Sequence, residues 1–483
     1  MDDQTGKMAR WDADALRTRF SLALSDMYRK EVPLYGDLIK IVNDVDDEVV
    51  RQRCQTPHSP NFPTPETTQQ VLPPRHRLER HGAIRLGTER ELRTIKRLFA
   101  IFGMHPVGYY DLSIVGFPLH ATAFRPVEID ALDKNPFRVF TTLLRHDLLS
   151  ADTRAFVQKV LAKRNLFTDR LLELIAVWER DGSLTSPEAD ELLHESLHIF
   201  RWHSEATVSY DEYKWLKAEH PMVADITSFP SAHINHLTPR TLDIDLVQQT
   251  MVEGGIPAKE RVEGPPRRKC EILLRQTSFK ALEESVRFHD ESGNLVHGSH
   301  TARFGEVEQR GAAVTPKGRQ LYDTLLATAS AEASRTGADS DAFDQILENT
   351  FQRYPDNWGE LRAQGLVFLR YKATPHGLEE LARLKDRSPS GAMTLSQLID
   401  EGFIDYEPIT YEDFLPVSAA GIFTSNLDVA TSVHIREAKG DRSGFERSLG
   451  VAVADEMDLY RRLQTESFEE CRKALMLGEK LEA

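Results

Sequence analysis

Cysteine is nearly absent from this chain. Cys54, Cys270 and Cys471 are the only three in 483 residues, and no two form a CxxC pair. That excludes a disulfide framework and a structural zinc knuckle, and it fits a reducing, cytoplasmic setting. Long apolar runs are lacking too, since nowhere do the roughly 20 consecutive apolar residues of a membrane-spanning helix occur. The first residues, MDDQTGKMARWDADALRTRF, are acidic and broken by charges, with no apolar stretch of the kind a secretory signal needs. Positive charge is in deficit: 60 basic residues stand against 75 acidic ones, a formal charge of -15. Such a surface repels nucleic-acid phosphates and anionic lipid, so neither polymer nor membrane is the expected partner. Nucleotide loops are missing as well, with no GxxxxGK[ST] and no GxGxxG after a strand-like run.

What is present is the composition of a folded protein. Hydrophobic residues at 40% and charged residues at 28% predict a packed core rather than disorder. Residues 1–75 read as a helical leader followed by a Pro-rich connection. Leu16, Phe20, Leu24, Met27 and Tyr28 fall on one helical stripe, and prolines crowd TPHSPNFPTPETTQQVLPPRHR between Thr56 and Arg77. Residues 76–310 read as a β-sheet core. HGAIRLG is strand-like, and TERELRTIKRLFAIFG is helical up to Gly103, with Thr88 as its cap and Glu91 three residues on. Two strand-like runs follow around Tyr109 and Ala121. A second β-α-β-β order comes from HINHLTPR, DIDLVQQTMVEGG, EILLRQTSF and ARFGEVEQRG. Between the two modules, about 135–220 is expected to be a helical insertion. Residues 311–483 read as mostly helical, with a turn-rich segment facing the site at 411–427 and a packing helix at the end.

Seventeen histidines make proximity in sequence uninformative, so position within strands carries the argument. His81 opens the first strand-like run, and His236 holds the corresponding place in the second. Glu306 and Glu308 alternate onto one face of RFGEVEQRG, where an inward carboxylate needs a partner. Two imidazoles and one carboxylate leave coordination positions open, the arrangement of non-haem Fe(II) oxygenases, whereas structural zinc fills four and Ca2+ wants more oxygen. His233, three residues earlier, competes with His236, and parity favours neither. Glu308 has the alternative of bonding an arginine such as Arg310. His76, His105, His120, His203, His289, His297 and His300 read as structural or solvated. The residues alone also allow a zinc- or manganese-dependent hydrolase or isomerase, or a non-catalytic small-acid-binding protein.

HGAIRLG, HINHLTPR, RFGEVEQRG and PVSAAGIF together resemble the 2-oxoadipate dioxygenase/decarboxylase family, also called hydroxyglutarate synthase, from about Phe20 to Leu463. FGEVEQRG is also similar to the metal-carboxylate strand of 4-hydroxyphenylpyruvate dioxygenase, a vicinal-oxygen-chelate enzyme. The resemblance implies an α+β fold: a vicinal-oxygen-chelate-like half-barrel sheet from two βαββ-type modules, with large helical insertions and helical N- and C-terminal extensions. It implies Fe2+ held by His81, His236 and Glu306, and Arg85 as a substrate-binding residue. Val417, through its backbone, and Ser418 would lie beside the substrate. Four residues apart in a strand, His81 and Arg85 face one side, where an arginine fork can clamp a dicarboxylate's far end. The implied reaction joins O2 to 2-oxoadipate and gives D-2-hydroxyglutarate and CO2, in lysine breakdown. Oligomeric state has no signature in the sequence.

Overall fold

The stripe Leu16, Phe20, Leu24, Met27 and Tyr28 is the buried face of helix α1 (Ala13–Glu31) in the computed structural model, which describes residues 10–55, 72, 74–290, 292–384, 393–415 and 440–476. Asp12 starts the helix by accepting the Ala15 amide, and Pro33 opens α2 (Pro33–Gln55). Phe20 stacks on Phe102 at 4.4 Å between ring centroids and meets Phe99, Phe137 and Phe200 at 5.5–6.3 Å. Burying one such ring contributes about 1.5–3 kcal/mol. The Tyr28 hydroxyl sits between the carbonyls of Asn235 (2.9 Å) and Phe304 (2.8 Å). The helical leader thereby ties together the two strands that carry His236 and Glu306.

The chain divides into two compact units, residues 1–263 with 276–309 and 414–453, and residues 264–275 with 310–413 and 454–483. The first unit is built on a mixed sheet. Its first module runs β1 (Glu79–Leu86), α3 (Glu89–Ile101), β2 (His105–Asp111), β3 (Leu119–Arg125) and β4 (Arg138–Leu144). Thr88 and Glu91 close the expected capping box on α3. After β5 (Glu205–Ser209) and α4 (Pro221–Ser228) comes the second module: β6 (His236–Pro239), α5 (Ile244–Glu253), β7 (Leu274–Ser278), β8 (Leu282–His289) and β9 (Leu295–Arg310). Hydrogen bonding orders the strands β2-β3-β4-β1-β6-β9-β8-β5, with β7 also paired to β9. The α+β arrangement of two like modules is the one expected from the sequence, but each module has one strand more than the βαββ order: β4 in the first, and in the second β8, from a stretch that reads as part of a polar hairpin. The modules join where β1 pairs antiparallel with β6, placing His81 opposite Thr238 and Ala83 opposite His236. Strand β9 lies parallel to β6, with Phe304 opposite His236.

The helical expectation for 135–220 fails at its start. Arg138–Leu144 is a strand, buried at every position, that pairs with β1 and β3 and completes the first module. A strand covered on both faces need not alternate, and RVFTTLL sets its apolar residues in adjacent pairs that a period of two does not detect. Within the same stretch, β5 adds the sheet's edge beside β8. Gly305 is required by packing, because a Cβ there would stand 2.4 Å from Phe279 and 2.9 Å from Tyr35.

The second unit holds helices Pro316–Thr336, Ser340–Phe351 and Glu456–Ala474 and, unforeseen in the mostly helical reading, an antiparallel pair of strands, β10 (Leu369–Ala373) and β11 (Ile404–Pro408). The final helix does pack, burying Tyr460, Leu463, Phe468 and Cys471. Most of the Pro-rich connection, and the 411–427 turn beyond Leu415, lie outside the described residues. Among the described residues, no helix is long and apolar enough to cross a membrane.

Helix α4 carries a pH dependence. Its N-cap, His220, is buried and accepts the Met222 amide at Nδ1 (3.0 Å), a bond only the neutral ring can make. Burial pushes this imidazole down to about 4. A histidine near 6.5 when unfolded and lower when folded supports the fold above 6.5, and that support is lost as pH falls toward 4. Metal-free wild-type protein is therefore expected to lose up to about 3 kcal/mol relative to His220→Asn, which keeps a capping acceptor, between pH 7 and 4.5. Urea denaturation at a series of pH values measures this; parallel curves for the two proteins would contradict it.

Candidate active site

Three adjacent central strands each deliver one side chain to a single point: His81 from β1, His236 from β6 and Glu306 from β9. One donor atom from each lies within 4.8 Å of the others, and all three residues are buried. His81 Nε2 is 3.0 Å from Glu306 Oε1. The two imidazoles meet edge to face at 5.4 Å between centroids, and His236 stacks on Phe304 at 4.7 Å. Phe414 closes one side, 4.9 Å from both His81 and Phe140.

The protonation states suit a cation. Burial drives His236 down to about 3, so its ring is neutral and carries a lone pair. Burial alone would raise Glu306, but the two histidines outweigh it and hold the carboxyl below its usual range, ionised. For His81, burial pulls downward while Glu306 and Glu308 overcome it and raise the ring above its ordinary value. A cation at Nε2 would replace that proton.

Glu308 has the face that alternation predicts and a specific use. Its Oε2 lies 3.0 Å from His81 Nδ1, and its Oε1 lies 3.4 Å from Arg80 Nε. A carboxylate at Nδ1 favours the tautomer that turns the Nε2 lone pair toward Glu306, the orienting pattern of metal-bound histidines. Gln276 donates to Glu306 Oε1 at 2.7 Å, and the Thr238 hydroxyl bridges His81 Nε2 (3.1 Å) and Glu306 Oε1 (3.3 Å). Two nitrogens and one carboxylate oxygen, oriented from behind and enclosed, fit a divalent transition metal with open positions.

His233, the rival to His236, belongs to a different group. It lies 3.1 Å from Asp225 Oδ1, and His300 lies 2.8 Å from the same oxygen. Arg85 is buried and donates to Asp225 Oδ2 at 2.5 Å. Val417 and Ser418 lie outside the described residues.

Known proteins are similar to this chain over nearly its whole length. The family model for 2-oxoadipate dioxygenase/decarboxylase matches residues 20–426. The chain belongs to this family. A 2-oxoadipate dioxygenase/decarboxylase of Pseudomonas putida is 49% identical over 469 residues, covering 96% of this chain and 98% of the relative. The Escherichia coli family member is 47% identical over 463 residues, 95% of this chain and 98% of its own. A crystal structure of hydroxyglutarate synthase from Pseudomonas putida in complex with 2-oxoadipate superposes with a TM-score of 0.84 at 46% identity, covering 97% of this chain and 99% of that one. Family membership thus spans both modules and every strand of the site.

Thr238, Gln276, Phe414 and Asp225 escaped the sequence reading. Thr238 was within reach of it, since alternation puts it on the face of His236 two residues earlier. Phe414 lies in the 411–427 segment expected to face the site, though it was not singled out there, while Gln276 and Asp225 come from remote segments and carry no local signature.

Proposed function

We propose that this chain is an Fe(II)-dependent enzyme that combines 2-oxoadipate with O2 to give (R)-2-hydroxyglutarate and CO2, a step of lysine breakdown in the cytoplasm. The six-carbon acid loses one carbon as CO2; one oxygen atom of O2 enters each product, and no second 2-oxoacid is consumed. The observation that carries the reading is the His81–His236–Glu306 group, in a chain 49% identical to a 2-oxoadipate dioxygenase/decarboxylase over nearly its full length. The buried thiols Cys270 and Cys471, both unpaired, support a reducing compartment.

In this reading His81, His236 and Glu306 hold the metal. Iron bound there supplies the redox chemistry that reduces dioxygen and couples it to loss of CO2. The protein's own part is placement. Glu308 fixes His81's tautomer, while Gln276 and Thr238 fix Glu306's carboxylate plane. Arg85, four residues along β1 from His81, clamps the carboxylate at the far end of the substrate. Val417, through its backbone, and Ser418 stand beside the substrate. Phe140, Phe304 and Phe414 keep water from the reacting end.

The test is gas and product balance on anaerobically purified, Fe(II)-loaded protein given 2-oxoadipate. One O2 consumed for each CO2 and each (R)-2-hydroxyglutarate is expected. Folded, iron-loaded protein that takes up no O2 would sink the proposal, and anaerobic turnover with zinc or manganese would favour a hydrolase or isomerase.

A further inference from the structure

Asp225 is a buried carboxylate outside the metal group, engaged at both of its oxygens. It sits on α4, is 3% exposed, and receives three side chains: Arg85 at Oδ2, and both His233 and His300 at Oδ1. Tyr213's hydroxyl meets His300 Nδ1 at 2.9 Å. A hydroxyl donating there leaves the His300 proton on Nε2, the atom that faces Asp225. Trp202 packs edge-on against His233 at 4.8 Å and flat along His300 at 6.0 Å, walling both rings.

Three of these atoms, from Asp225, His233 and His300, also have metal-ligand spacing. Charge decides between the two uses. Arg85 already neutralises Asp225, so a dication would enter a group of zero net charge with a guanidinium at its edge. The His81 group is different, because two carboxylates, Glu306 and Glu308, face it. Burial by itself would raise the Asp225 carboxyl, yet Arg85 and the two histidines hold it well below its usual range, as a carboxylate.

We propose that Asp225 is a positioning residue for substrate selection: held by His233 and His300, it pins the Arg85 guanidinium so that the fork is set for a distal carboxylate before substrate arrives. This rests on the reading of Arg85 as the substrate's carboxylate anchor. An unpinned arginine has several rotatable bonds to order at each binding event, while a pinned one has lost that freedom during folding. The effect is selective, because only ligands with a far carboxylate use the fork.

The experiment measures anaerobic dissociation constants by calorimetry on Fe(II)-loaded protein, for 2-oxoadipate and for 2-oxohexanoate, which has the same length without the second carboxylate. In Asp225→Asn the preference for the dicarboxylate is expected to fall roughly tenfold or more, the size of loss seen when a partner behind a binding group is removed. Affinity for 2-oxohexanoate and iron content are expected to stay at wild-type levels. His300→Gln, which perturbs the same carboxylate more gently, is expected to lower the preference less, and it serves if Asp225→Asn does not fold. Arg85→Lys separates the two claims. If the preference falls in Arg85→Lys but in neither other variant, Asp225 does no positioning and the anchor reading stands. If Arg85→Lys and Arg85→Met both keep the preference, the anchor reading fails and takes this proposal with it. A second equivalent of iron in the wild type that disappears in Asp225→Asn would also overturn the proposal, making the group a ligand set.

Discussion

Replacing His236 with alanine is expected to lower iron-dependent turnover of 2-oxoadipate by on the order of a thousandfold or more, well beyond the 10- to 100-fold typical of residues behind a ligand. His236 has no substitute within reach, because the other nearby histidine on its segment, His233, is engaged with Asp225. Its loss leaves Glu306 and His81 as the remaining pair, and two donors bind a transition metal far more weakly than three. Bound iron is therefore expected to drop together with turnover, while circular dichroism stays native. His233→Ala is the control: it should keep its iron. Full iron occupancy in His236→Ala, or iron loss confined to His233→Ala, would reverse the ligand assignment.

Arg85 is expected to show the next largest effect, and in two currencies that separate cleanly. Arg85→Met should lower kcat/KM for 2-oxoadipate by on the order of 10²–10³, the usual result of removing one partner of a buried charge-assisted pair. It should also destabilise the fold by about 3–5 kcal/mol, because Asp225 is left as a buried carboxylate without its guanidinium. Arg85→Lys retains the charge and so most of the stability, but it lacks the fork. Its kcat/KM is expected to remain at least about tenfold low. Thermal melts beside steady-state kinetics make the comparison. If lysine restores kcat/KM to the wild-type level, bidentate recognition by Arg85 is excluded.

Periodicity carried the elements that have one exposed face. Helix α1, with its stripe of Leu16, Phe20, Leu24, Met27 and Tyr28, and α3, with its Thr88–Glu91 box, both stand where their spacing placed them. It failed at Arg138–Leu144, a strand buried at every position, where no exposed face imposes alternation. It also passed over β10 and β11 between the helices of the second unit. At the site, parity in RFGEVEQRG put Glu306 and Glu308 on one side, and both do reach His81. Parity could not choose between His233 and His236.

The sequence by itself determined the chemistry available: scarce cysteine, net negative charge, two strand-helix modules, and histidine and glutamate at strand positions facing one way. Residue type and local period are written along the chain, and the motifs of HGAIRLG, HINHLTPR and RFGEVEQRG brought the family with them. Only the tertiary structure decided which groups meet. The antiparallel register of β1 on β6 sets His81 against Thr238, α4 brings Asp225 to Arg85 across 140 residues, and Gln276 reaches Glu306 from another strand. Those contacts arise from how strands and helices pack at long sequence separation, and no local pattern of side chains encodes a partner that far away.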